Sequence, residues 1–227
     1  DGGPVRAYLA KRGVSEEIAR RFDLGFAPES GGFLASRLSG RPEAVAAAAR
    51  LGLVSQRDGG GGAYDRFCGR LMFPIRDGRG EIIAFGGRAL GDVQPKYLNS
   101  PESPLFHKSE VLYALPAARE EIRKRDEAIL VEGYLDALAL IQFGVGNAVA
   151  TLGTALTPAH LRVLRRLAQR IVVFFDGDNA GRKAATRAFA ACAEAGVWTH
   201  GAFLPDGEDP DTFVRVGGAD AVRARLA

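Results

Sequence analysis

The second half of the chain alternates short, wholly apolar runs with stretches of helical periodicity. The apolar runs occupy residues 128–131, 147–151, 171–175 and 197–204, and helical stretches follow the first three at 134–143, 158–169 and 180–195. A strand that is apolar on both faces is typical of a buried parallel sheet. The alternation therefore predicts a mostly parallel sheet with helices on both faces, joined by right-handed crossovers.

The first half is less regular. Residues 4–22 predict two short helices, with Ser15 as the N-cap of the second. An extended piece at 24–27 and a helix at 41–50 follow. The strongest local pattern is a hairpin, in which the apolar runs LMFPI and EIIAFGG flank a turn at Asp77–Gly80.

Two loops and a helix complete this half. The glycine run within 58–63 predicts a flexible loop, and no Lys-Ser or Lys-Thr follows it as in a phosphate-binding loop. Residues 89–110 are polar, proline-rich and without a period. So long an irregular stretch in a compact domain is usually functional or disordered. A charged helix is predicted at 116–126, and a subdomain boundary near residue 127.

Composition excludes several classes of protein. The chain has 227 residues, of which 47% are hydrophobic and 25% charged, which suits one large globular domain or two small ones. No apolar run is long enough to span a membrane and nothing at the start of the sequence resembles a signal peptide, so a cytoplasmic location is expected. Cys68 and Cys192 lack metal-ligand spacing, so neither a zinc site nor a disulfide framework is indicated.

The net charge of +3 is unevenly distributed. From residue 128 onward ten basic residues are balanced by ten acidic ones, so the whole excess lies in residues 1–127. A mildly basic surface is compatible with a polyanionic partner without indicating one. Within the irregular stretch, Lys96 and Lys108 alternate with Tyr97 and Phe106. Cations interleaved with aromatic rings suit a single-stranded nucleic acid or a triphosphate, and a solvated loop with an aromatic plug is the simpler alternative.

Acidic residues follow two of the predicted strands. Glu132 comes after the first, and Asp176 and Asp178 come after the third. Ligands of open α/β sheets bind beyond the carboxyl ends of the strands, and carboxylates that meet there favour a hard cation such as Mg²⁺. The loop at 205–211 adds four more acidic residues, Asp206, Glu208, Asp209 and Asp211. Helix capping by Asp178, and by Asp209 or Asp211, is the structural alternative.

The motifs EGYLD, FDGDNAG and DPD, placed at strand ends in an α/β unit, resemble the toprim domain of primases, topoisomerases, some nucleases and recombination mediators. Four further segments, DRFCGRLMFPIRD, IAFGGRAL, PKYLNSPESPLFHKSEVLYAL and TLGTALT, resemble in that order the catalytic core of bacterial DnaG-type primase. The resemblance covers nearly the whole chain. It implies a mixed α+β N-terminal subdomain at 1–126, a Rossmann-like toprim subdomain at 127–215 and the start of a truncated helical part at 216–227.

The resemblance also assigns roles to residues. It implies that Glu132 is a general acid/base or a metal-site carboxylate, that Asp176 and Asp178 hold Mg²⁺ or Mn²⁺, and that Asp209 and Asp211 complete the metal site. Residues implied to bind nucleotide or template are Arg66, Arg70, Arg88, Lys96, Tyr97, Asn99 and Lys108. Cys68 stands where the family often has an arginine, which puts a contact at that position in doubt.

The implied activity is DNA-dependent synthesis of short RNA primers from ribonucleoside triphosphates. The implied partners are a single-stranded DNA template, the nucleotides, the primer product and, through a domain outside these residues, the replicative helicase of a bacterial replication fork. The resemblance implies no zinc in this fragment and no membrane. Two alternatives stay open: a metal-dependent toprim nuclease or topoisomerase fragment, and a non-catalytic DNA-binding module of the recombination-mediator kind. Neither explains residues 66–113.

Overall fold

The structure is a computed structural model that describes residues 2–57, 59 and 62–226. The predicted flexible loop at 58–63 falls largely outside these residues. The chain divides into two compact units: one comprises the residues up to Ile75 together with Glu81–His107, and the other comprises Arg76–Gly80 together with the chain from Lys108 onward. The hairpin turn thus belongs to the second unit. The proposed subdomain limits at 126/127 and 215/216 stay a prediction.

Antiparallel pairing organises the first unit. Its sheets have the strand orders β1-β4-β5-β6 and β2-β3. The elements of residues 2–107 are α1 (Gly3–Lys11), α2 (Glu16–Arg21), β1 (Gly25–Ala27), α3 (Phe33–Leu38), α4 (Pro42–Arg50), β2 (Val54–Gln56), β3 (Ala63–Asp65), β4 (Arg70–Arg76), β5 (Ile82–Ala89) and β6 (Tyr97–Asn99). The predicted hairpin is confirmed, because β4 and β5 are neighbours in the sheet. Ser15 caps α2 as predicted, accepting from the backbone N–H of Ile18 at 3.2 Å.

The sequence pattern does not predict four elements of the first unit: the short antiparallel pair β2 and β3, helix α3 and strand β6. Helix α3 begins after two glycines, and its N-terminal amides are capped from a distance: Leu34 and Ala35 donate to the two carboxylate oxygens of Asp65 at 2.8 and 2.7 Å. Strand β6 lies within the stretch predicted to be irregular and pairs antiparallel with β5. Both α3 and β6 depend on partners far along the chain, so no local periodicity indicates them.

The second unit has the predicted strand and helix alternation. Its elements are α5 (Leu115–Arg125), β7 (Glu127–Val131), α6 (Tyr134–Gln142), β8 (Ala148–Ala150), α7 (Pro158–Arg165), β9 (Arg170–Val173), α8 (Asn179–Glu194), β10 (Thr199–Gly201) and α9 (Pro210–Leu226). The strands pair in the order β10-β9-β7-β8, and every pairing in this sheet is parallel. The predicted α/β class, with a mixed first part and a parallel second part, is confirmed.

Apolar side chains are buried on both faces of this sheet, since successive strand residues such as Ile129 and Leu130 point to opposite faces and are at most 1% exposed. Leu130, Val149 and Ile171 are fully buried with Leu164 and Ala188 from the flanking helices. Strands buried on both faces explain the wholly apolar runs of the sequence. The core fixes the direction of the strands, so the residues that follow β7 and β9 emerge at the same edge of the sheet.

Two features of the second unit lie outside its core, a break in the last helix and an exposed tryptophan beside the edge strand. Helix α9 is interrupted at Gly218, whose φ of 68° is non-helical. Beside the edge strand β10, Trp198 is 75% exposed, and its indole N–H donates to Nε2 of His200 at 2.9 Å. No helix within the described residues is long and apolar enough to cross a membrane.

Candidate functional site

The first two acidic positions meet where β7 and β9 end. Glu132 follows directly on β7, and Asp176 lies three residues beyond the end of β9. The predicted strand at 171–175 is shorter in the structure, although Phe174 still donates to the carbonyl of Leu130 at 2.9 Å. The backbone N–H of Asp176 donates to the carboxylate of Glu132. The sheet therefore brings these two carboxylates together as the sequence predicts.

Burial and mutual repulsion dominate the electrostatics of this edge. Burial, reinforced by the charges of Asp176 and Asp178, raises the pKa of Glu132 to about 7. Burial and the charges of Asp209 and Asp178 raise the pKa of Asp176 to about 6. One oxygen of Glu132, Oε1, is buried and has no hydrogen-bond partner within the described part of the chain. Negative charge is thus held at close range with incomplete compensation, which favours a cation as ligand.

Asp136 belongs to this group of carboxylates, although it is not among the site residues predicted from the sequence. It lies in the first turn of α6 and accepts from the backbone N–H of Gly133 at 3.0 Å. Burial, followed by the charges of Asp176, Asp209 and Asp211, raises the pKa of Asp136 well above its usual range. The available signal was its position in the first turn of the predicted helix, directly after the strand end that carries Glu132.

The remaining acidic residues have protein partners. Asp178 caps α8 by accepting from Gly181 N–H at 2.7 Å. Asp209 accepts from Thr212 N–H, also at 2.7 Å, and Asp211 is buried and pairs with Arg215 at 3.1 Å. The capping alternative thus holds for Asp178 and Asp209. In residues 2–57, 59 and 62–226, no three or more His, Cys, Asp or Glu side chains are grouped tightly enough to hold a metal ion.

The acidic loop is attached to the turn after β9. Gly177 donates its backbone N–H to the carbonyl of Glu208 at 2.9 Å. A side chain at position 177 would bring its Cβ within 2.0 Å of the carbonyl oxygen of Pro205, so only glycine fits. Arg182 strengthens the attachment by pairing with Asp206 and by donating to the carbonyl of Gly177 at 3.2 Å. These contacts keep the loop's carboxylates near Asp176.

In the first unit, Arg88 is held between two aromatic rings. Its guanidinium carbon lies 4.9 Å from the ring centre of Tyr8 and 5.2 Å from that of Tyr97, and its NH1 donates to the Tyr97 hydroxyl at 2.8 Å. Arg88 is 8% exposed, whereas Tyr97 is 38% exposed and Lys96 is exposed. The side chains of Lys96 and Tyr97 are therefore accessible to a ligand, and the buried Arg88 holds Tyr97 through the hydrogen bond to its hydroxyl. The sequence pattern does not predict the contact of Tyr8 with Arg88.

Arg66, Arg70 and Asn99 are tied to the fold of the first unit. Arg70 is 4% exposed and donates from NH1 to the carbonyls of Pro95 and Gly87, at 2.9 and 3.4 Å. Arg66 donates to the carbonyl of Asn99 at 3.4 Å. Arg70 thus shapes the loop that carries Lys96, while Arg66 and Asn99, both partly exposed, lie side by side.

Lys108 lies in the second unit, two residues after Phe106 in the sequence. The prediction that the ring of Phe106 is available for stacking is wrong. Phe106 is fully buried, so it is a core residue and cannot stack on a base; the aromatic-plug alternative holds for it. Cys68, at the doubtful arginine position, is a free, partly buried thiol that donates to the carbonyl of Asp65 at 3.3 Å. Burial raises the pKa of this thiol.

Comparison with known proteins covers both units. Residues 1–119 match the family described as DNA primase catalytic core, N-terminal domain, and residues 129–214 match the family described as Toprim-like. The chain is 52% identical to the DNA primase of Pseudomonas aeruginosa over 222 residues, which is 96% of this chain. The chain belongs to the DnaG primase family.

Solved structures of this family agree with the fold. The crystal structure of a DNA primase domain from Pseudomonas aeruginosa is 52% identical and superimposes with a TM-score of 0.92, covering 97% of this chain and 70% of that one. A DnaG primase catalytic domain bound to ssDNA is 45% identical with a TM-score of 0.89, covering 98% of this chain and 73% of that one. The chain spans 33% of the length of the Pseudomonas aeruginosa primase sequence.

Proposed function

We propose that the protein synthesises short RNA primers on a DNA template, joining ribonucleoside triphosphates with release of pyrophosphate. The observation that carries the proposal is the group of mutually repelling carboxylates beyond β7 and β9, in a chain whose first part matches a primase core. Phosphoryl transfer needs charge neutralisation around the reacting phosphate, and a protein site rich in carboxylates supplies it through bound cations.

The donor set fits Mg²⁺ or Mn²⁺. The ligands would be Glu132, Asp176 and Asp178, with Asp209 and Asp211 completing the site. All offer carboxylate oxygens, which hard divalent cations prefer, and Glu132 has a buried oxygen without a partner in the described part of the chain. Asp136 adds a further carboxylate to the same field. A bound cation would neutralise charge on the triphosphate and favour ionisation of the carboxyl groups whose pKa is raised.

Basic and aromatic side chains would bind the polyanions. Lys96 and Tyr97 are exposed and suit a single-stranded template, the cation neutralising phosphate and the ring stacking on a base. Arg88, Arg66 and Asn99 would support that surface, and Lys108 would bind the triphosphate. The buried hydrogen bonds of Arg70 favour a role in holding the loop, with any template contact being secondary. The related domain bound to ssDNA supports a single-stranded DNA template.

The wider context is proposed on the same grounds. The product would be an RNA primer, and the replicative helicase of a bacterial replication fork would be reached through a domain outside these residues. A Toprim-like domain alone would also suit a nuclease, a topoisomerase fragment or a recombination mediator. The primase-core match over residues 1–119 disfavours all three, because it is independent of the Toprim-like part.

The proposal is tested with the full-length protein on single-stranded DNA. Ribonucleotide incorporation in the presence of Mg²⁺ should be lost in Asp176→Asn, since that change removes a charge from the proposed metal site while keeping the side chain's size. The exposed Glu110→Gln variant is the matched control and should retain full activity. Strand cleavage without incorporation, or undiminished incorporation by Asp176→Asn, would overturn the proposal.

A further inference from the structure

A buried histidine joins α7 to the segment that begins at Lys108. His160 is 0% exposed, and both of its ring nitrogens are engaged. Nδ1 accepts from the backbone N–H of Thr157 at 3.3 Å, and Nε2 lies 3.0 Å from the carbonyl oxygen of Lys108. Because Nδ1 is the acceptor, the ring proton lies on Nε2 and is donated to Lys108. The backbone of Val111 provides a further hydrogen-bond partner for the ring.

The capping residue of α7 contacts the same segment. Thr157 accepts at its hydroxyl from the backbone N–H of His160 at 3.1 Å, and the hydroxyl donates to the carbonyl of Ser109. Farther along, Tyr113 exchanges backbone hydrogen bonds with Ala150 of β8. Residues 108–113 are therefore fixed at three points to the rest of the second unit, and two of these points are side chains of one helix turn.

An ordinary helix cap does not require this arrangement. A Glu or Gln at the third helical position closes a capping box by reaching back to the N-cap N–H, and nothing more is needed for the helix. His160 makes that contact with one nitrogen and uses the other to reach a carbonyl 52 residues away. Burial lowers the pKa of His160, so the ring stays neutral and keeps one donor and one acceptor.

We propose that His160, assisted by Thr157, is a positioning residue for Lys108, holding the backbone from which this lysine reaches the nucleotide triphosphate. The inference rests on the proposed function, because it assumes that Lys108 binds the nucleotide. His160 itself touches no substrate. Its effect is to fix the backbone of Lys108 before the nucleotide arrives, which reduces the conformational entropy lost on binding.

The test is a double-mutant cycle in the full-length protein between His160→Leu and Lys108→Ala. Leucine fills the buried position but has neither a donor nor an acceptor, while the Thr157 hydroxyl can still accept from the backbone N–H of residue 160 and cap α7. In the protein with the wild-type Lys108, His160→Leu should raise the KM for ribonucleotides roughly three- to tenfold, the factor that corresponds to the lost hydrogen bond to Lys108, with a smaller change in kcat. In the Lys108→Ala background it should have no further effect.

Amide hydrogen exchange of residues 108–113 tests whether His160 fixes the backbone of this segment. Faster exchange in this segment in His160→Leu supports the inference, and Arg162→Gln, an exposed change on the same helix, should leave it unaltered. Thr157→Val, which loses the bond to Ser109, replaces His160→Leu if that variant fails to fold. Equal rises in KM in both backgrounds, or unchanged exchange at 108–113, overturn the inference. A wild-type protein that incorporates no ribonucleotide refutes the proposed function, and exchange alone then decides whether His160 fixes the segment.

Discussion

Replacing Glu132 with glutamine should stabilise the protein in the absence of divalent cations above neutral pH. The pKa of Glu132 rises from its ordinary 4.5 to about 7, because of burial first and then the charges of Asp176 and Asp178. In the folded chain the proton is kept up to about pH 7, whereas the unfolded chain loses it near 4.5. The folded state therefore binds more protons in this interval, and its stability falls as the pH rises through it.

The size of the effect follows from the same pKa values. One pKa unit corresponds to about 1.4 kcal/mol, so a fully buried carboxyl group with this shift would cost the folded state about 3 kcal/mol once ionised. Glu132 is only partly buried, and screening by solvent reduces the expected cost to roughly 1 kcal/mol. Glutamine has nearly the same shape and no charge, so Glu132→Gln should recover this amount at high pH and nothing at low pH.

Urea unfolding at about pH 5 and about pH 8, with a chelator present, measures the difference. The free energy of unfolding of Glu132→Gln should exceed that of the wild type only at the higher pH, and Glu110→Gln should follow the wild type at both. Added Mg²⁺ should then stabilise the wild type more than Glu132→Gln, because binding to the folded state raises stability. A variant less stable than the wild type at the higher pH would refute the electrostatic reasoning.

Five further variants, at four positions, separate the effects of charge from those of structure. Asp178→Asn should abolish ribonucleotide incorporation at unchanged melting temperature, because asparagine still caps α8, whereas Asp178→Ala should also cost about 1 kcal/mol of stability. Arg70→Met should lower the free energy of unfolding by about 1–3 kcal/mol through the loss of its hydrogen bonds to the carbonyls of Gly87 and Pro95, while Lys96→Ala should leave stability unchanged and reduce the salt slope of single-stranded DNA binding by about 1. Gly177→Ala should destabilise by about 2–4 kcal/mol in thermal unfolding, because its Cβ would lie 2.0 Å from a backbone oxygen.

The parts of the fold that the sequence predicts well are those with local causes. Fully apolar runs identify β7 and β9, and Thr157 before a proline identifies the start of α7. Helix α3 has no such cause, since Asp65, some 30 residues away, caps it. Strand β6 likewise forms only by pairing with β5. Elements fixed by distant partners are those that a local pattern misses.

The candidate site shows the same division. The proximity of Glu132 and Asp176 could be predicted from the sequence, because the carboxyl ends of neighbouring parallel strands lie at the same edge of a sheet. The burial of Phe106 could not be foreseen, since an aromatic residue in a polar loop has the same sequence pattern whether it faces solvent or the core. The burial of Arg70, the first residue of β4, depends on the carbonyls of Gly87 and Pro95, which are distant in the sequence. The same limit hid Tyr8, whose ring lies against Arg88 from a helix 80 residues earlier in the sequence.

The exposure of Trp198 determines how the protein can be followed by optical methods. It is the chain's one tryptophan and is 75% exposed, so its fluorescence in the folded state already reflects a largely aqueous environment and should shift little on unfolding. It precedes β10, whereas the carboxylates follow the ends of β7 and β9, so cation binding should leave its emission nearly unchanged. The buried Tyr113 and Tyr134 rings, whose centres are 4.7 Å apart, offer the better reporter of tertiary packing, by near-ultraviolet circular dichroism.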